Sequence, residues 1–178
     1  GLFEGEEAAR VGAFAEKLLR RLGTGQRWMA NFASESAKSS AANITISTSA
    51  TRGAGPDGAE GWLLNGVKSF GCATGVADDY LVTASFPGGS TAEFLGVFMV
   101  DRTSPGISNR TKWDAIGMRA SATHGIVLEN VFVADDDALA VPGAFVKMMQ
   151  VSRGSFVGSQ LAGTAVYAGA AAAVYRHT

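Results

Sequence analysis

The stretch Leu64-Asn65-Gly66-Val67-Lys68-Ser69-Phe70-Gly71-Cys72-Ala73-Thr74-Gly75-Val76-Ala77-Asp78-Asp79-Tyr80-Leu81-Val82 sets the frame of the chain. It opens inside an apolar run, Trp62-Leu63-Leu64, and meets Asn-Gly. It resumes with Val67-Lys68-Ser69-Phe70, passes a loop of small residues, and ends in a second apolar run, Tyr80–Phe86. Asn-Gly between two such runs predicts a β-hairpin, because both residues accept the positive φ of a type I′ turn. Phe70-Gly71-Cys72-Ala73-Thr74-Gly75 sets an aromatic ring before small residues, a surface on which a planar cofactor can rest. Taken alone, that loop reads equally as a core phenylalanine beside a turn.

Outward from this centre the period stays near two. Ile44, Ile46, Thr48 and Ala50 alternate with Thr45, Ser47 and Ser49, which predicts a half-buried strand, and Arg52–Glu60 reads as a Gly/Pro-rich turn. Phe94–Val100 and Gly125–Val133 predict further strands, with a turn at Ser104-Pro105-Gly106. About six strands at turn spacings of 8–12 residues point to an antiparallel barrel or sandwich. The ends are helical. Val11, Phe14, Ala15, Leu18, Leu19 and Leu22 form one apolar stripe, with Glu6 and Glu7 near its start and Lys17, Arg20 and Arg21 near its end, and Gly23 as the stop. Phe145, Met148 and Met149 open a second helical region. The proline-free, alanine-rich Val151–Tyr175 extends it, with Gly154, Gly158 and Ala162 giving a small-residue face for a helix from outside the chain.

Composition closes several classes of function. The chain has 178 residues, 47% hydrophobic and 17% charged, a globular balance. A net charge of -1 leaves no footprint for nucleic acid or an acidic membrane. Phe156–Tyr175 is interrupted by Ser159, Gln160 and Thr164 and reads as a soluble helix rather than a membrane span. Cys72 is the one cysteine, so no internal disulfide forms, and a cytoplasmic setting is the default. His124 and His177 stand far apart, so no metal site is expected. Asp135-Asp136-Asp137 reads as a solvated turn. Ser34–Ala41 is rich in hydroxyls that can hold a phosphate or a polar ring edge, although alone it reads as an ordinary turn.

The order of these segments resembles the acyl-CoA dehydrogenase family. Ser34–Ala41 looks like a degraded T-E-P-x-A-G-S-D loop, and Leu64–Val82 follows L-N-G-x-K-x-W-I-T-N-G-x-x-A-D-x-Y-L-V closely. Val100–Gly106 is similar to the strand ending in a P-G turn. Gly117–Thr123 followed by Leu128–Val133 resembles G-x-R-x-S-x-T leading to x-L-E-x-V-x-V. Phe145–Arg153 looks like the start of the first long C-terminal helix. Each motif is only moderately specific; five in order, across Ser34 to Arg176, are strong.

The resemblance implies an α+β fold in which a small antiparallel β-barrel is flanked by helices. Residues 1–33 would be a remnant of an N-terminal helical domain, 34–140 the middle domain and 141–178 the start of a C-terminal helical domain. It implies FAD against the barrel and an acyl-CoA thioester on the flavin's far side. The carried-over cofactor contacts are Phe32, Ala33, Ser34, Ser40, Phe70, Gly71 and Cys72; Ser40 and Arg153 face the substrate. Phe70 in place of tryptophan keeps a stacking face, whereas Cys72 replaces a threonine hydroxyl by a weaker donor. Ser36 lacks the family's proline, and Ala37 and Ala41 lack its acids. No residue is assigned as catalytic base: the family's glutamate lies in the C-terminal helical domain, Ser152 stands at one family position for it, and Val151–Thr178 contains no Asp or Glu. The chain is therefore expected to be a truncated form, weak in flavin binding and inactive alone, from a protein that is a homo-oligomer at full length. A flavin monooxygenase of the same fold and a non-catalytic β-barrel module are the rival readings.

Overall fold

The computed structural model describes residues 2–35, 46–89, 92–155 and 157–177, with the backbone alone at 111, 152–155 and 157–160. Helix α1 (Gly5–Gly23) is followed by strands β1 (Met29–Phe32), β2 (Ser49–Ala54), β3 (Glu60–Gly71), β4 (Asp79–Ser85), β5 (Leu95–Asp101), β6 (Ile107–Thr111), β7 (His124–Ala134) and β8 (Ala138–Leu139). Helices α2 (Ala144–Ser155) and α3 (Val157–His177) end the chain. Two compact units result, Gly1–Phe145 and Val146–Thr178.

The strands form one eight-stranded sheet in the order β6-β7-β3-β2-β4-β5-β8, with β1 also on β4. The expected antiparallel barrel is met in part. Among the described residues no ladder joins β6 to β8, and the sheet is mixed rather than antiparallel throughout, because β1 pairs with β4 in parallel, Phe32 opposite Val82. The sheet nevertheless wraps one core. Trp62 of β3 and Phe98 of β5 meet edge to face at 5.7 Å, although β2 and β4 stand between their strands. Only a curled sheet brings those rings together. Leu64, Tyr80, Val82, Ile126, Leu128 and Val131 complete the cluster.

The hairpin expected at Asn65-Gly66 is absent. β3 runs unbroken through both residues, and its register against β7 slips there, from Leu64 opposite Val131 to Gly66 opposite Leu128. The slip is a β-bulge whose extra residue is on β7: Asn65 alone lies opposite Glu129 and Asn130, and Asn130 takes the left-handed conformation at φ +49°. Gly66 has φ +151°, and a Cβ on it would stand 2.6 Å from the Thr48 Cα, so the crossing chain admits no side chain. Asn65 makes the bulge reciprocal: its amide donates to the Asn130 side chain (3.0 Å) and accepts from the Asn130 N–H (2.9 Å).

Other boundaries moved as well. The strand expected from residue 43 begins at Ser49, with residues 43–45 outside the described ones, and it continues to Ala54 into the expected turn. The short strands β1, β6 and β8 were not anticipated, since none is long enough to show a period. In α1 only Phe14 of the apolar stripe is fully buried, and Leu19 and Leu22 stay exposed. The helix is held instead by charge. Arg21 donates to Asp79 (2.8 Å), and Lys17 pairs with Asp137 (2.8 Å). Arg27, just after the helix, reaches both Asp79 (2.7 Å) and Asp101 (2.6 Å).

Candidate functional site

Ser34, the first residue of the hydroxyl-rich segment, lies beside the segment that carries Phe70; residues 36–41 of the former are outside the described ones. The Ser69 N–H donates to the Ser34 carbonyl at 3.1 Å, so the chain leaving β1 runs along the last residues of β3. Inward positions of β3 alternate through Trp62, Leu64 and Lys68. Phe70 should face inward next, yet it is 45% exposed. A second register slip between Lys68 and Gly71 breaks the alternation and turns the ring outward, as bulges beside sites do.

Phe70 meets Trp113 edge to face at 5.5 Å. Gly71 stays glycine because a Cβ would fall 2.3 Å from the Phe32 ring. Cys72 is exposed, and its sulfur accepts from Thr123 Oγ1 at 3.1 Å. The loop after it is tied to the chain before β7, where the Ala73 and Thr74 N–H groups donate to the Ser121 and Ala122 carbonyls, both at 2.9 Å.

Of the expected cofactor contacts, then, Ser34, Phe70, Gly71 and Cys72 gather at one end of β3. Phe32 is wholly buried, its ring against Tyr80 (4.5 Å between rings) and its backbone in the ladder to Val82, so the structure does not expose this expected contact. The Ala33 carbonyl accepts from Lys68 Nζ at 3.4 Å. Ser40 lies outside the described residues. The backbone of Arg153 belongs to α2, in the second compact unit, and its side chain lies outside the described residues.

Two features escaped the sequence reading. The first is an ion pair behind the site. Lys68 Nζ donates to Glu35 Oε1 at 2.8 Å, and the two side chains are 0% and 5% exposed. Glu35 also accepts from the N–H groups of Ser47 (2.6 Å) and Thr48 (2.9 Å) and from Thr48 Oγ1 (2.5 Å). Burial pushes its carboxyl up, but the bonds from Lys68, Thr48 and Ser47 prevail and hold it at about 2. Burial pushes the Lys68 ammonium down, against the pull of Glu35. A lysine at an inward strand position was the available signal. The second is Trp113, whose indole N–H is buried and finds no acceptor among the described residues.

Chemically, the arrangement offers a half-exposed aromatic face near the Cys72 thiol and the exposed Ser34. That donor set fits a flat heterocycle with a polar edge. Concavities of about 330–520 Å³ lie on α1, between α1 and Asp135–Ala138, along β5 and β7, and beside Ala54–Pro56. Among the described residues no group of three or more His, Cys, Asp or Glu is set to hold a metal ion, and no helix is long and apolar enough to cross a membrane.

The family model described as acyl-CoA dehydrogenase, middle domain, matches residues 30–131. The chain belongs to the acyl-CoA dehydrogenase family. Within that family its relatives differ in chemistry. L-evernosamine nitrososynthase of a Micromonospora species is 37% identical over 83 residues, 47% of this chain and 20% of that protein. Dibenzothiophene monooxygenase of Mycolicibacterium goodii is 29% identical over 160 residues, 88% of this chain and 37% of that protein. A solved FAD-dependent dehydrogenase superposes with a TM-score of 0.60 at 28% identity, over 75% of this chain and 35% of that one. The chain thus spans about a fifth to two fifths of the length of these acyl-CoA dehydrogenase-family proteins.

Proposed function

We propose that this chain carries the flavin-facing surface of an acyl-CoA dehydrogenase-type oxidoreductase, with FAD as cofactor and an acyl-CoA thioester as substrate. The observation that supports it most is the pairing of Ser69 with Ser34, which sets Ser34 beside the strand end that carries the outward Phe70 ring. Bound FAD supplies the hydride acceptor for α,β-dehydrogenation. The chain's own residues bind and orient. Phe70 offers the stacking face, and the Ser34 segment and Cys72 the polar edge. Ser40 and Arg153 are proposed on the substrate side, in a cytoplasmic homo-oligomer.

Dehydrogenation also needs a base for the proton alpha to the thioester. Residues 151–178 offer no carboxylate, so we expect no turnover from this chain by itself. Titrating the purified chain with FAD and following flavin fluorescence tests the reading. Weak, saturable quenching is expected, whereas none at a large excess of protein sinks it. Dye reduction on adding acyl-CoA would reveal a base elsewhere in the chain.

A monooxygenase reading has its own support. Two relatives are a nitrososynthase and a monooxygenase, and Cys72 stands where the dehydrogenase motif carries threonine. Oxygen uptake with reduced flavin, set against dye reduction by acyl-CoA, separates the two.

A further inference from the structure

Lys68 is out of character for its position. It continues the inward series of Trp62 and Leu64, and it is completely buried. A methionine of similar length would fill the space with no charge to desolvate, and buried ion pairs often stabilise no more than such a replacement. What the pair adds is direction. The ammonium reaches the Ala33 carbonyl and the Glu35 carboxylate, one and three residues beyond β1 and either side of Ser34. The carboxylate in turn receives both N–H groups at Ser47 and Thr48, where the chain enters β2. Three stretches of chain are thus joined at one point inside the sheet, two residues before Phe70.

We propose that the Glu35–Lys68 pair is a clasp that fixes the register between Ser34 and Ser69, and through it the spacing of the Ser34 edge from the Phe70 face. The cofactor half of this rests on the flavin reading above. Both are positioning residues: they lie behind the surface, and their bonds go to protein atoms.

The test uses the full chain with the double substitution Glu35→Gln/Lys68→Met, which removes both charges and leaves no lone one. Three quantities are measured: the thermal midpoint, hydrogen exchange of the Ser69 amide with the Val82 amide as internal control, and the Kd for FAD. The expected result is a midpoint near that of the parent, an unchanged Val82 rate, Ser69 exchange faster by about tenfold, and FAD binding weaker by about tenfold, the scale of one lost hydrogen bond. Parental Ser69 exchange in the folded double variant overturns the clasp. Faster Ser69 exchange with an unchanged FAD Kd overturns its role at the cofactor. If the parent binds no FAD at all, the flavin reading falls, and Ser69 exchange alone still decides the clasp. Should the double variant not fold, Thr48→Val removes one bond to Glu35 and keeps both charges; a smaller change in the same direction supports the clasp, and none overturns it.

Discussion

Phe70 and Gly71 are neighbours held by opposite demands. Phe70 has left the core and contributes little to it, whereas Gly71 lies under the Phe32 ring and tolerates no side chain. Phe70→Ala is therefore expected to cost less than about 1 kcal/mol in urea unfolding, because a half-exposed ring gains only part of the usual burial energy. The same substitution should weaken FAD binding by about tenfold, the worth of a stacked aromatic. Glu35 gives a prediction in pH. Its carboxyl is held at about 2 against an ordinary 4.5, so the folded chain binds that proton more weakly than the unfolded one. The resulting stability is complete above pH 4.5 and is lost as pH falls toward 2. Glu35→Gln should cost about 3 kcal/mol at neutral pH, since it also strands the Lys68 ammonium. Urea midpoints measured from pH 7 downward should show parent and variant converging in acid.

At the level of the elements, the two slips between β3 and β7 organise the site. The first places its extra residue on β7 opposite Asn65, next to the point where Thr48 crosses Gly66; the second places its extra residue on β3 and turns Phe70 outward. Gly66→Ala is expected to destabilise the sheet by about 2 kcal/mol, because a Cβ meets backbone that cannot yield. Asn65→Ala, which removes side-chain bonds at a half-buried position, should cost about 1 kcal/mol. A reversed order of the two urea midpoints would show that the Asn65–Asn130 exchange, not the crossing chain, holds the bulge. Asn-Gly was legible as an irregularity but not as this one: a tight turn and a close chain crossing both call for glycine, and the sequence does not say whether the strand continues or returns.

For the molecule as a whole, α1 is attached to the sheet more by charge than by its apolar stripe. Asp79, fully buried, accepts from Arg21 and from Arg27, and Arg27 continues to Asp101. Asp79→Ala should remove the centre of this network and cost about 3 kcal/mol, with the two arginines left without their shared partner. Trypsin should then cut at Arg20 and Arg21 faster than in the parent; unchanged cutting would mean that Phe14 and the pairs to Asp137 suffice to hold the helix.

The sequence by itself determined the order of the architecture, helix then β-domain then helix. Local periodicity and the succession of motifs carry that information, and they led to the family as well. It also marked Ser34 and Phe70–Cys72 as segments to watch. Only the tertiary structure decided that the sheet is mixed, that Phe70 turns outward while Phe32 turns in, and that Glu35 finds Lys68 across 33 positions of chain. Strand partners, register slips and buried charge pairs are fixed by which distant residues meet in the folded core, and no local pattern in the chain encodes that meeting.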